Sequence, residues 1–97
     1  MGKRDRLQPN ELSGFLGSHP GWSVDGDALV RTFEHGSYAA GVAFAVELAF
    51  AAEKRDHHPD LHLGWRKTTV RWTTHDSGGI TGVDVELAET SDRLHHG

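Results

Sequence analysis

The run Glu53-Lys54-Arg55-Asp56-His57-His58-Pro59-Asp60 gathers three carboxylates and two imidazoles into one short stretch. An imidazole of ordinary pKa, about 6.5, donates or accepts a proton near neutrality and is also a common metal ligand. The chain holds 8 histidines, and His57, His58 and His62 all lie between Asp56 and Leu63. Glu53 and His57 are four residues apart, so on a helix they share a face and the carboxylate would orient the ring or raise its pKa. A charged histidine near a helix C-terminus is favoured by the dipole, which would let His57 hold a proton and act as an acid. Pro59 disfavours helical geometry at the residue before it and fixes the exit of the chain. A strand pair ending at Thr74-His75-Asp76 would then return His75 beside the helix end. In strand parity His75 follows Thr69, Arg71 and Thr73, on the polar side opposite Val70 and Trp72.

Duller and rival roles exist for these residues. Histidines in the last turn can bond free helix carbonyls, so His57-His58 would serve as a C-cap. His57, His58, His62 and His75, with Asp60 as an oxygen donor, would offer ligands to a metal. Neighbouring histidines rarely converge on one ion, however, and no HExxH pair is present. His19, His35, His95 and His96 are expected to be inert surface histidines, and His62 fits either class.

The elements that position this run follow from periodicity. Leu12, Phe15 and Leu16 share a face of a short first helix that His19-Pro20-Gly21 ends. Trp22 to Val24 and Ala28 to Glu34 alternate as strands around Asp25-Gly26-Asp27, a hairpin signal. From Ser37, a plausible N-cap, Tyr38, Gly41, Val42, Ala45, Ala49 and Ala52 recur at helical spacing. Phe44, Leu48 and Ala51 form a second stripe, so this helix, about 37–56, has a wide apolar face that can serve both a core and a subunit interface. Leu61 and Leu63, the connection Gly64-Trp65-Arg66-Lys67 and the β-branched stretch Thr68 to Thr74 predict a second hairpin. After the turn Ser77-Gly78-Gly79, Thr81 and Asp84 resemble a capping box for a last helix carrying Val83, Leu87 and Leu94. The order α-β-β-α-β-β-α predicts an α+β fold: a four-stranded antiparallel sheet with its helices on one face.

Composition bounds the remaining choices. A chain of 97 residues, 36% hydrophobic, is one domain with a small core that association would help. With 14 acidic against 10 basic residues and a net charge of −4, it lacks the surface that coats phosphates, so no nucleic-acid partner is expected. Lys3, Arg4 and Arg6 read as part of a solvated, flexible tail over residues 1–10. The absence of cysteine excludes disulfides, thiolate zinc and a cysteine nucleophile, and suits a reducing compartment. No apolar run of about 20 residues is present, and MGKRDRLQPN lacks the apolar stretch of a signal peptide. The cytoplasm is the expected location, with no membrane partner.

Glu53-x-x-x-His57-His58-Pro59, the aromatic Trp65, Thr74-His75 and the later Asp84 resemble the signature of the pterin-4a-carbinolamine (4a-hydroxytetrahydrobiopterin) dehydratases. Gly21-Trp22, Gly26 to Leu29, Phe33, Ala43-Phe44 and Ala52-Glu53-Lys54 are similar to that family's N-terminal half, extending the likeness over about 12–92. The resemblance implies an α+β dimer or tetramer that needs no metal or organic cofactor. It implies removal of water from the 4a-hydroxytetrahydropterin left by aromatic amino-acid hydroxylases, giving quinonoid dihydropterin in tetrahydrobiopterin recycling. On that likeness His57 and His75 would be the acid and base groups and His58 would bind the pterin and assist proton transfer. Glu53, Asp56, Pro59 and Asp84 would be substrate-binding positions, with Glu53 orienting His57 and Asp56 and Asp84 divided between substrate contact and helix-end structure. Trp65 is expected to pack in the core. Some animal members also bind a homeodomain transcription factor, which leaves a non-catalytic, coactivator-type oligomeric partner on the same scaffold as the alternative.

Overall fold

Gly26 adopts a left-handed conformation (φ 62°) that glycine takes without steric cost. It closes a tight hairpin of β1 (Ser23–Asp25) and β2 (Ala28–Glu34), with Asp25 paired to Ala28. The second hairpin, β3 (Asp60–Gly64) and β4 (Lys67–Trp72), turns at Trp65-Arg66 with the positive φ (60°) on Arg66. His35 holds that turn: its N–H donates to Arg66 O at 2.9 Å, and Arg66 Nε donates back to His35 O at 3.3 Å. β2 and β4 pair antiparallel from Leu29 opposite Trp72 to Glu34 opposite Lys67, giving the order β1-β2-β4-β3. The computed structural model describes residues 5–96.

Three helices, α1 (Pro9–Ser18), α2 (Tyr38–Arg55) and α3 (Gly82–Leu94), complete the expected α-β-β-α-β-β-α order and cover one face of the sheet. Ser37 caps α2, its hydroxyl accepting from the Ala40 N–H at 3.0 Å. The core lies between sheet and helices, where Leu29, Phe33, Val70 and Trp72 meet Phe44, Leu48 and Ala52 of α2 and Leu87 and Ala88 of α3. Trp72, fully buried at the end of β4, satisfies its indole N–H on Ser91 Oγ at 3.0 Å.

Two expectations change here. The flexible tail of residues 1–10 gives way from Arg6 onward, because Arg6 bridges to Thr81, Leu7 N donates to Ile80 O at 3.0 Å, and α1 begins at Pro9. Lys3 and Arg4 lie outside the described residues. Trp65 does not pack in the core: at the hairpin tip it is 75% exposed, with the Arg66 guanidinium 5.1 Å from its ring centre. Among the described residues no helix is long and apolar enough to cross a membrane.

Candidate active site

The way α2 ends decides where the two adjacent histidines go. Asp56 takes a left-handed conformation (φ 49°, ψ 44°), its N–H donating to Glu53 O and the His57 N–H donating to Ala52 O, each at 3.2 Å. This is the Schellman arrangement, in which a left-handed residue folds the chain sharply back over the last turn. Aspartate tolerates that conformation better than most side chains, which is how a non-glycine residue can stand there.

The turn drives His57 inward. The residue is 7% exposed, its ring lies parallel to the Trp72 indole (10°, centroids 5.9 Å apart), and Nε2 donates to Asp84 Oδ1 at 2.7 Å. Asp84 is fully buried in the first turn of α3, where it forms the capping box read from the sequence with Thr81. Its Oδ2 accepts from Thr74 Oγ1 (2.7 Å) and Thr81 N (2.9 Å), with Thr81 Oγ1 3.4 Å away. One carboxylate thus caps a helix with one oxygen and grips an imidazole with the other.

His58 stays outside, and Nε2 donates to Glu53 Oε1 at 3.2 Å with both side chains largely exposed. The expected pairing of Glu53 with His57 is therefore replaced: Glu53 orients His58, and Asp84 orients His57. Helical spacing fails as a guide because the helix has already ended at Arg55.

His75 reaches the site by another route than strand parity. β4 stops at Trp72, Thr74 bridges to Gly79, and a short 3₁₀ turn over His75–Ser77 carries the exposed His75 to the cleft rim. The cleft, about 390 Å³, is lined by Asp56, His57, His58, Thr73, Thr74, His75 and Asp76. The three candidate histidines and Asp56 thus come together, whereas Glu53 acts through His58, Asp84 stands behind His57, and Pro59 is half-buried between His58 and β3. Thr73, Asp76, the ring support of Trp72 and the buried hydroxyls of Thr74 and Thr81 had not been expected. The Thr81–Asp84 capping box was the one local signal leading toward them.

Elsewhere the histidines do different work. His62 is exposed on β3, and among the described residues no three His, Cys, Asp or Glu side chains are grouped so as to hold a metal ion. His35 departs from the expected surface role: it is buried, bonded through Nε2 to Thr68 Oγ1 (3.0 Å), and packed against Phe44 and His95. Burial, and then the neighbouring His95, lower its pKa below the ordinary 6.5. His19, half-buried, stacks on Phe15 and faces Glu89 at 3.4 Å, and His95 Nε2 donates to Glu34 O at 2.8 Å.

A protein-family model described as Pterin 4 alpha carbinolamine dehydratase matches residues 5–94. The chain belongs to the pterin-4a-carbinolamine dehydratase family. A protein of Natronomonas pharaonis provisionally named as such a dehydratase is 49% identical over 90 residues, covering 93% of this chain and 96% of that one. A relative from a Roseiflexus species, provisionally named in the same way, is 42% identical over 89 residues, covering 92% and 96%. Among solved structures, a transcriptional coactivator/pterin dehydratase from Brucella melitensis is similar with a TM-score of 0.88 at 30% identity, covering 95% of this chain and all of that one. A pterin dehydratase-like protein described as a RuBisCO assembly factor in the alpha-carboxysome shares the fold, with a TM-score of 0.62 at 24% identity over 75% of this chain and 84% of that one. The matched span contains the cleft-lining residues from Asp56 to Asp76 and Asp84 behind them.

Proposed function

We propose that this member of the pterin-4a-carbinolamine dehydratase family dehydrates 4a-hydroxytetrahydropterin to quinonoid dihydropterin, the step that follows aromatic amino-acid hydroxylation in tetrahydrobiopterin recycling. The observation that carries the reading is the buried His57–Asp84 pair, opening onto a cleft that His58 and His75 also line. A volume of about 390 Å³ falls in the range of small-molecule sites. The reaction needs a proton delivered to the C4a hydroxyl, so that the C4a–O bond breaks with water leaving, and a proton removed from N5, whose electrons form the new N5–C4a double bond. His57 and His75 divide those two transfers, and His58, held by Glu53, binds the ring and assists. Asp56 on the cleft wall contacts substrate, Pro59 sets the position of His58, and Asp84 acts through His57. Imidazoles supply both proton steps, so the scheme calls for no metal or organic cofactor.

Stopped-flow absorbance of the carbinolamine generated by a phenylalanine hydroxylase tests this against the spontaneous rate. The wild type should accelerate product formation, and His57→Ala and His75→Ala should each slow it by ~10²-fold or more. A wild-type trace on the spontaneous baseline from pH 6 to 8 would sink the reading.

A second surface supports the expected homodimer or homotetramer. Tyr38, Val46 and Phe50 on α2 are exposed, Phe50 by 67%, and Phe50 with Ala51, Leu87 and Leu94 forms the apolar part of a groove between α2 and α3 that Glu47, Lys54, Arg55 and Thr90 edge. A second copy of the chain laid on this face would bury what a small monomer leaves open. If the dehydratase test fails, this same face favours the alternative, an oligomeric partner protein acting in the cytoplasm without chemistry.

A further inference from the structure

An imidazole placed for proton transfer has two nitrogens, and which of them carries the proton at rest decides which can take one. At His57 this is settled from behind. Asp84 Oδ1 offers only lone pairs, so the 2.7 Å contact requires the proton on His57 Nε2. The neutral ring can then accept a proton, and the charged ring release one, only through Nδ1. What keeps Asp84 in the accepting role is a pair of buried hydroxyls. Thr74 gives its single proton to Asp84 Oδ2 at 2.7 Å, and the Thr81 hydroxyl, 2.8 Å from Thr74 Oγ1 against 3.4 Å from Asp84, supplies the Thr74 oxygen with a donor. The Thr81 N–H adds a second donor on Oδ2 at 2.9 Å. Thr74, Thr81 and Asp84 are each 2% exposed or less, so no solvent competes for these bonds.

We propose that Thr74 and Thr81 are positioning residues which, Thr74 by donating to Asp84 Oδ2 and Thr81 by orienting that hydroxyl, hold His57 in the Nε2–H tautomer and so restrict its proton exchange to Nδ1. The kinetic consequence rests on the dehydratase reading above, whereas the tautomer is a property of the free protein. Neither hydroxyl bonds His57 directly. Their effect passes through one carboxylate to one ring, whose plane Trp72 fixes by stacking. Such networks, fully satisfied and shielded from water, specify one arrangement among several otherwise available.

The test is two-dimensional ¹H–¹⁵N NMR of the imidazole rings in the full-length protein, with stopped-flow kinetics on the same samples. The wild type should show His57 as the Nε2–H form. Thr74→Val, nearly isosteric but without a proton to give, should populate the Nδ1–H form as well and lower kcat by roughly tenfold with little change in KM, about the worth of one hydrogen bond to a charged group. Thr74→Ser, which restores the hydroxyl, should return both readouts to wild type. A wild-type His57 resting as Nδ1–H overturns the proposal, as does a folded Thr74→Val protein that keeps both the single tautomer and full kcat. If Thr74→Val does not fold, Thr74→Ala, which also has no proton to give, takes its place with the same two outcomes. Tautomer changes as expected in a protein with no dehydratase activity would leave the positioning role standing and remove the reaction assigned to the site.

Discussion

Replacing Asp84 by asparagine keeps the shape of the side chain and exchanges one of its two acceptor oxygens for an NH₂ donor. The Thr81 N–H can only donate, and it faces Oδ2 at 2.9 Å. The amide must therefore turn its oxygen toward Thr81 and Thr74 and its NH₂ toward His57. Nε2 would then have to accept, which moves the ring proton to Nδ1 and inverts the tautomer. The close contacts to His57, Thr74 and Thr81 N, at 2.7, 2.7 and 2.9 Å, change from charge-assisted to neutral, a loss of roughly 1 kcal/mol each. Relief of the cost of burying a charge offsets part of this, so unfolding in urea should register a destabilisation of no more than about 3 kcal/mol. Activity should suffer far more. Inverting the tautomer of a carboxylate-held catalytic imidazole costs up to about 10⁴-fold, so we expect stopped-flow dehydration by Asp84→Asn to fall by ~10³-fold or more in a protein that remains folded. An Asp84→Asn enzyme within threefold of wild type would refute the positioning of His57 by Asp84. A loss of activity that follows only the unfolded fraction would do the same.

Other consequences are simpler to read. Phe50→Glu places a charge on the exposed apolar face of α2, and light scattering at micromolar concentration should report a smaller assembly than the wild type; a wild-type mass of one chain would remove the premise. Because burial and His95 lower the pKa of His35, the unfolded chain takes up the proton more readily than the folded one. Stability owed to neutral His35 is thus complete above about pH 6.5 and is lost as pH falls through that value toward the lowered one. Urea melts at pH 7.5 and 5.5 should show a larger drop for wild type than for His35→Gln, and equal drops would contradict this. Asp56→Gly relieves the left-handed backbone and should raise stability by up to about 1 kcal/mol while slowing dehydration, since a cleft carboxylate is gone. A loss of stability there would show that the Asp56 side chain braces the turn.

Much of the fold is legible in the chain because its signals are local. Ser37, Asp25-Gly26 and the Thr81–Asp84 box each specify a start or a turn within four residues, and each appears in the structure as read. The site is legible only as far as composition reaches. The sequence marks His57, His58 and His75 as belonging together, but it pairs Glu53 with the wrong histidine, because i to i+4 spacing holds only while the helix continues. Asp84 lies 27 positions from His57, and no periodicity connects them; the connection exists because α3 packs its first turn against the end of α2. Trp65 fails in the opposite sense, since aromatic character suggests a core residue while a two-residue hairpin turn has no core to offer it.

The left-handed turn at Asp56 explains how one dipeptide can serve two purposes. Without it, His57 and His58 would continue the surface of α2 about 100° apart, both wet and both mobile. With it, one ring goes under the sheet end to meet Trp72 and Asp84, and the other remains at the mouth beside Glu53. The inner ring gains a fixed plane and a fixed hydrogen-bond partner, which suits the directed proton transfer proposed for it. The outer ring keeps the freedom to adjust to whatever enters. A single backbone conformation, placed on a residue that tolerates it and whose own carboxylate faces the cleft, thus divides rigid from adaptable function between two neighbours of identical chemistry.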